Sequence, residues 1–426
     1  MNAKIRQQLA SRKSRIERRL DKKRLGNVDQ PMFTAANIHY EIADRTCGLA
    51  HSGIDAIHLL AWRIGLIDAV NEKLHLLKIH LPYHESDHVL NLAYNALCDG
   101  TCLQDLELRR LDEVYLDALG AHRIPDPTTA GDFCRRFSVA DVHALIDVIN
   151  SVRPCVWARQ PTAFFDLARI DMDGTLVPTD AECKQGIDIA YNGVWGYHPL
   201  VVSLANTGEV LSVLNRPGNR PSHEGAAAEV DRALRVCLDG GFRKVLLRGD
   251  TDFSQTKHLD RWNADARVQF IFGLDQTAAR HVLADDLQAA AWQTLDRPPR
   301  YEVQTQPRHK PTRVKDEIVR QREFENKRLV SEQVAEMPYR PVACKNTYRL
   351  IVVRKNLSIE KGELRLYDDY IYFFYLTNDW TSTPTVLVFE ANQRCNQENL
   401  NAQLKGGVRA LTAPCLLYTS PSPRDS

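Results

Sequence analysis

No stretch of this 426-residue sequence stays apolar for the roughly 18 residues that a membrane crossing needs, so no spanning helix is expected. No apolar segment follows the N-terminus, so no secretory leader is expected either. The ten cysteines include no Cys-x-x-Cys pair and read as reduced thiols of a cytoplasmic protein. Cys98 and Cys102 stand at helical i, i+4 spacing, but no matching His or Cys pair accompanies them. They read as small buried side chains before they read as zinc ligands. A net charge is missing too. Fifty-five Lys and Arg stand against 54 Asp and Glu, which excludes a global polyelectrolyte field.

What is there is unevenly placed. Residues 1–28 hold ten Lys or Arg, Lys22 and Lys23 among them, against two acids. Such an arm contacts DNA phosphates, which adds affinity but no sequence information, or is simply a solvated charged helix. Residues 1–150 read as a helical domain. Leu59, Leu60, Ile64 and Ile67, then Val89, Leu90, Ala93 and Leu97, recur at three- and four-residue spacing within 54–80 and 86–99. The stretch "IPDPTTAGDFCRRF" is a turn and a helix start, with Thr128 or Thr129 as cap and Arg135 and Arg136 in the second turn. Paired arginines there suit DNA docking or a solvated face equally.

From residue 163 the texture becomes β-like. Strands are expected at 163–174, 197–205, 209–216 and 243–250. A helix lies between the last two, capped by Ser222 and stopped by Gly240–Gly241. Three sequential strands, a crossover helix and a fourth strand predict a mixed sheet. If the fourth strand lies beside the first, Asp173 and Asp250 emerge side by side. Residues 275–345 are charged and irregular, an insertion that serves as a solvated lobe or as a nucleic-acid contact. Strands at 347–356 and 364–379 follow, then one long helix broken at Gly406–Gly407. The final stretch, "CLLYTSPSPRDS" (415–426), reads like a translated sequencing adapter, or else an ordinary Ser/Pro tail. It is set aside as a non-native tail.

On the last helix Arg394, Glu398 and Lys405 stand at i, i+4 and i+11, about 40° and about 20° past whole turns, hence on one face. An ion-pair ladder would also explain them. Two strand-end aspartates and this glutamate make three carboxylates, which repel unless a cation sits among them. Oxygen ligands suit Mg²⁺ or Mn²⁺, and two such ions about 4 Å apart serve in-line displacement at phosphorus.

Five stretches carry a resemblance: "DMDGTLVPT", "YNGVWGYHPLVVSLANTGEVL", "NRPGNRPSHEGAAAEVDRAL", "LLRGDTDFSQT" and "ANQRCNQENLNAQLK". From about 165 to 414 the sequence resembles bacterial insertion-sequence transposases of the DDE group, in the IS4-like superfamily. That superfamily carries Tyr-(2)-Arg-(3)-Glu-(6)-Lys. Here Arg394, Glu398 and Lys405 match, and Ala391 stands at the tyrosine position. The resemblance implies an α/β fold: a ribonuclease-H-like mixed sheet with flanking helices, interrupted by a β-rich insertion and preceded by the helical domain. The catalytic domain would run over 160–274 and 346–414, around the insertion at 275–345. The resemblance also implies Asp173, Asp250 and Glu398 as ligands of Mg²⁺ or Mn²⁺, two ions, with Arg394 and Lys405 on the transposon-end phosphates. The implied partners are terminal inverted repeats, target DNA and a second copy in a homodimeric synaptic complex, on the bacterial nucleoid. The group's Asp-x-Thr and Asp-x-x-aromatic patterns favour Asp173 over Asp171 and Asp250 over Asp252. Trp195, Tyr197 and His198 in "NGVWGYHPL" read as contacts to an unstacked base or as packing.

One other chemistry fits the same letters. "DMDGT" and "RGDTD" imitate haloacid-dehalogenase phosphatase motifs, with Asp171 as nucleophile and Asp173 as acid/base. That reading leaves Arg394, Glu398, Lys405 and the basic arm without a purpose.

Overall fold

The computed structural model describes residues 50–411 except 79, 81, 181–184, 255, 297–326 and 360–369, with a few isolated residues before 50. Lys22, Lys23 and the 415–426 tail lie outside the described residues. No helix among the described residues is long and apolar enough to cross a membrane.

The helical region begins with α1 (Ile54–Arg63), α2 (Leu66–Lys73) and α3 (Glu85–Leu97). The expected continuous helix over 54–80 is two, because Gly65 adopts φ 75°, a left-handed conformation that ends one helix and starts the next. Then come α4 (Leu106–Arg110), α5 (Glu113–Ala118), α6 (Pro127–Cys134) and α7 (Val139–Trp157). The cap of α6 is Asp126, whose carboxylate accepts from Thr129 N at 2.9 Å, not Thr128 or Thr129. Pro127 at the first helical position, which needs no N–H donor, makes Asp126 the better cap. Arg135 and Arg136 therefore fall at the end of α6.

His88 of α3 lies buried, stacked on Phe133 with centroids 4.4 Å apart. Burial pushes its imidazole down from 6.5 to about 4. The folded protein thus holds His88 neutral over a range where the unfolded chain protonates it. Stability should fall as pH drops from 6.5 towards about 4. His88→Phe should reduce that slope in urea denaturation followed across the range; an unchanged slope would dismiss His88 as its source.

The strands are β1 (Ala168–Gly174), β2 (Val177–Pro178), β3 (Asp188–Ile189), β4 (Trp195–Tyr197), β5 (Leu200–Leu204) and β6 (Glu209–Leu214). After helix α8 (Ala226–Asp239) come β7 (Val245–Gly249), α9 (Thr256–Asn263), β8 (Val268–Leu274) and α10 (Ala278–Asp285). Gly225, at φ 74°, precedes α8 in place of the expected Ser222 cap, and Gly240 closes it as expected. The chain continues through β9 (Gln293–Thr294), β10 (Lys327–Tyr339), β11 (Tyr348–Ile359) and β12 (Tyr370–Thr377) to α11 (Pro384–Asn392) and α12 (Asn396–Ala402).

Strands β2, β4 and β3 form a small separate sheet. The other nine form one sheet in the order β6-β5-β1-β7-β8-β12-β11-β10-β9. Of its first five strands, β6, β5 and β1 form an antiparallel meander, and β7 and β8 run parallel to β1. That is the ribonuclease-H-like order, with the fourth sheet strand beside the first as expected. Strands β12, β11, β10 and β9 continue the same sheet, since β12 pairs antiparallel with β8. The thirteen-residue β10 lies in a stretch the sequence gives as irregular; its charges hide a strand held along its length by β11.

Strand alternation gives the sheet two apolar faces. Ile170, Met172, Leu247 and Phe270 pack on one side with Val230 and Ala233 of α8. Leu246, Ile271, Val334, Ile351 and Val353 pack on the other with Leu387 and Val388 of α11. Helix α7 is tied to the sheet margin by Asn150, which donates to the Leu211 carbonyl at 2.9 Å.

Candidate active site

The register of β1 and β7 builds the site. These parallel strands pair Asp171 with Arg248, which brings Asp173 and Asp250 out two residues further along neighbouring strands. Asp171 does not reach the surface. It is 1% exposed and held by both branches of Arg248, Nε to Oδ1 at 2.6 Å and Nη2 to Oδ2 at 2.8 Å. A phosphatase nucleophile must meet its substrate, and this carboxylate is sealed and paired.

Asp173 accepts from Asn401 Nδ2 at 3.1 Å. Burial lifts its carboxyl to about 6; Arg394 pulls against this, and the charges of Asp250 and Glu398 add to it. Beside it stands Gly174, where a Cβ would lie 2.6 Å from His198 Nε2. His198 is fixed by the Arg220 carbonyl at Nδ1, 2.8 Å away, and burial lowers its pKa. Of the three "WGYH" candidates it is His198 that packs against the aspartate strand. Trp195 is 37% exposed on β4, and the Tyr197 hydroxyl donates to the Gln185 carbonyl.

Asp250 follows β7 directly. Its Oδ1 accepts from Asp252 N at 3.0 Å and its Oδ2 from Arg394 Nη2 at 3.4 Å. Burial raises its pKa, with Arg394 opposing. Asp252 itself is exposed in the 3-10 turn. Phe253 at the end of that turn is 1% exposed, and a Cβ on Gly249 would lie 2.7 Å from it. The aromatic of Asp-x-x-aromatic is thus a plug that seats the turn.

The expected long helix is broken. Residues 393–395 form a 3-10 turn and 403–407 a π turn on either side of α12. The first overwinds and the second underwinds. The three signature residues still gather at the acids. Arg394 meets Asp250, and Glu398 lines a cleft of about 210 Å³ with Asp250 and Arg394. Lys405 feels the charge of Asp173, which opposes the lowering of its pKa by burial. Glu398 is exposed, whereas Gln397 and Asn401 face the sheet. Gln397 accepts from the Ser203 hydroxyl and donates to the Val201 carbonyl at 3.3 Å.

Among the described residues, no three His, Cys, Asp or Glu converge closely enough to hold a metal ion together. The chemistry of the donors nonetheless fits a hard divalent cation. Asp173 and Asp250 offer oxygen only, and burial raises the pKa of both carboxyls against the pull of Arg394.

Other expected residues lie elsewhere. Arg135 is exposed and pairs with Asp132, and Arg136 Nη1 donates to the Leu76 carbonyl at 3.2 Å, so both make these contacts within the helical region. Sequence reasoning missed Asn401, Gln397, Arg248 and Glu390. For Arg248 a signal was available: a lone charge inside an apolar strand, as in "KVLLRGD", must find a partner.

A family model described as transposase DDE domain group 1 matches residues 50–400. No curated protein matches the sequence. Among solved structures, the piggyBac transposase synaptic complex with hairpin DNA, seen by cryo-EM, is similar at 11% identity and a TM-score of 0.39, over 82% of this chain and 68% of that one.

Proposed function

Because the chain belongs to the transposase DDE domain family, group 1, we propose that its strand-end acids are the centre of DNA cleavage and strand transfer. Asp173, Asp250 and Glu398 are the catalytic acids and metal ligands. The observation that carries this is the placement of two aspartates on adjacent parallel strands, with Arg394 on Asp250 and Glu398 on the same cleft. A divalent cation held by these acids, Mg²⁺ or Mn²⁺ and two in the complete site, would stabilise charge on the phosphate oxygens. The DDE family in general works with divalent ions.

The chain's own groups do the rest. Arg394 and Lys405 bind the phosphates flanking the scissile bond through charge-assisted hydrogen bonds. Asn401 orients the Asp173 carboxylate, and the turn seated by Phe253 orients Asp250. Water attacks the phosphodiester at the transposon end and the 3′ oxygen leaves as a hydroxyl. That hydroxyl then attacks a target phosphodiester, displacing the target's own 3′ oxygen. Lys22, Lys23, Arg135 and Arg136 contact backbone phosphates, and the exposed Trp195 meets an unstacked base. Two ends brought together call for two copies of the chain, on the nucleoid of a bacterium carrying an insertion sequence.

The test uses the full chain with Mg²⁺ and a labelled duplex bearing the element's own end, beside para-nitrophenyl phosphate. A nick at the end that disappears in Glu398→Ala is expected. Phosphate release that depends on Asp171 and ignores Glu398 would overturn the assignment.

A further inference from the structure

Each strand-end aspartate has a charged residue two places before it, Asp171 before Asp173 and Arg248 before Asp250. Two residues along a strand return to the same face, so each pair shares a side of the sheet. Arg248 grips Asp171 with two parallel bonds, and its third branch, Nη1, donates to both the side chain and the carbonyl of Glu390 at 2.9 Å. Glu390 belongs to α11, four residues before Arg394 and eight before Glu398. Arg169 of β1 donates to the same Glu390 carboxylate at 2.5 Å. One guanidinium therefore ties β1 and β7, which carry Asp173 and Asp250 one pleat further on, to α11, the helix that leads through the 393–395 turn into the α12 of Glu398.

We infer that Arg248, fastened to Asp171 and Glu390, is a positioning residue that sets the separation of Asp173, Asp250 and Glu398. The inference rests on the reading of those three as the catalytic acids. A buried ion pair is a poor device for stability alone, because packed apolar side chains of similar volume do as well or better. An apolar pair lacks direction, however. The planar guanidinium fork fixes both the distance and the lateral register of its partners. Arg248 is 2% exposed, so its part in the reaction is played through the acids and not on DNA.

The decisive variant is the double substitution Asp171→Leu with Arg248→Met, which keeps the volume and removes the fork. Thermal midpoint, affinity for the element's end duplex and single-turnover cleavage with Mg²⁺ are measured together. The expected result is a midpoint and an end affinity close to those of the unmodified chain, with cleavage slowed about a hundredfold, the scale of a 1 Å misplacement. A folded double variant that cleaves at the unmodified rate overturns the inference. Should the double variant not fold, Arg248→Lys decides. It keeps the charge but not the fork, and cleavage slowed about tenfold with end affinity kept is expected. The unmodified rate there overturns the inference as well. Asp173→Asn in the same assay separates the two levels. Its loss of cleavage beside unimpaired Asp171 and Arg248 variants removes only the positioning role, whereas its continued cleavage removes the catalytic reading too.

Discussion

Asp173→Asn should slow strand cleavage at least about a thousandfold, while binding to the element's end stays within a few-fold of the unmodified chain. The substitution keeps shape and removes charge. An acid that holds a cation against a reacting phosphate supplies several kcal/mol, and about 4 kcal/mol is a thousandfold in rate. The fold should not suffer. Asp173 is crowded by burial and by Asp250 and Glu398, which lift its carboxyl to about 6, so its ionised form is a liability in the metal-free protein. The thermal midpoint in metal-free buffer should therefore be equal or higher in the variant, the pattern of an active site that trades stability for function. Asp250→Asn and Glu398→Gln should lose cleavage in the same way. Any one of the three that still cleaves within about tenfold of the unmodified rate has been wrongly assigned.

The largest single loss of stability should come from Arg248→Met. Unlike the double substitution, it leaves the 1%-exposed Asp171 carboxylate with both of its Arg248 bonds gone and no water to replace them. Stranding one member of a buried pair costs about 3–5 kcal/mol. Glu390 keeps Arg169, whose side chain is one-third exposed, so its loss is partly made good. Urea denaturation gives the number directly. A change below about 1 kcal/mol would mean that Asp171 is reached by water or held by a group other than Arg248.

Much of the sheet was legible because its strands follow simple rules. "ARIDMDG", "LVVSL" and "KVLLRGD" are apolar runs bounded by turn residues, and crossover connections between parallel strands leave few ways to order them. The fifth strand, "VQFIFGL", lacks alternation, since it is buried on both faces, and periodicity alone does not separate it from a helix. Helix ends were less legible. Gly65 breaks a periodic apolar pattern without changing it, Asp126 outcompetes Thr128 through Pro127, and a 3-10 turn at 393–395 leaves the spacing of Arg394 and Glu398 almost unaltered. At the site, the acids and cations stood out by type and spacing. Asn401 and Gln397 did not, because an uncharged amide on a helix looks like any solvated position until the strand beneath it is known. The choice between Asp171 and Asp173 was open in the sequence for the same reason. Both lie on one face of β1, and the Arg248 opposite Asp171 is a fact of register.

The site joins residues far apart in synthesis. Asp173 waits for Asn401, 228 residues later, and Asp250 for Arg394, 144 residues later. At roughly 5–20 residues per second, a ribosome needs about ten seconds or more to close the first of these gaps. During that interval the emerging polypeptide already displays its helical region and most of its sheet, but lacks the segment that brings Glu398. If the acids are the catalytic centre proposed above, translation itself keeps the blade sheathed until nearly all of the described protein has been made.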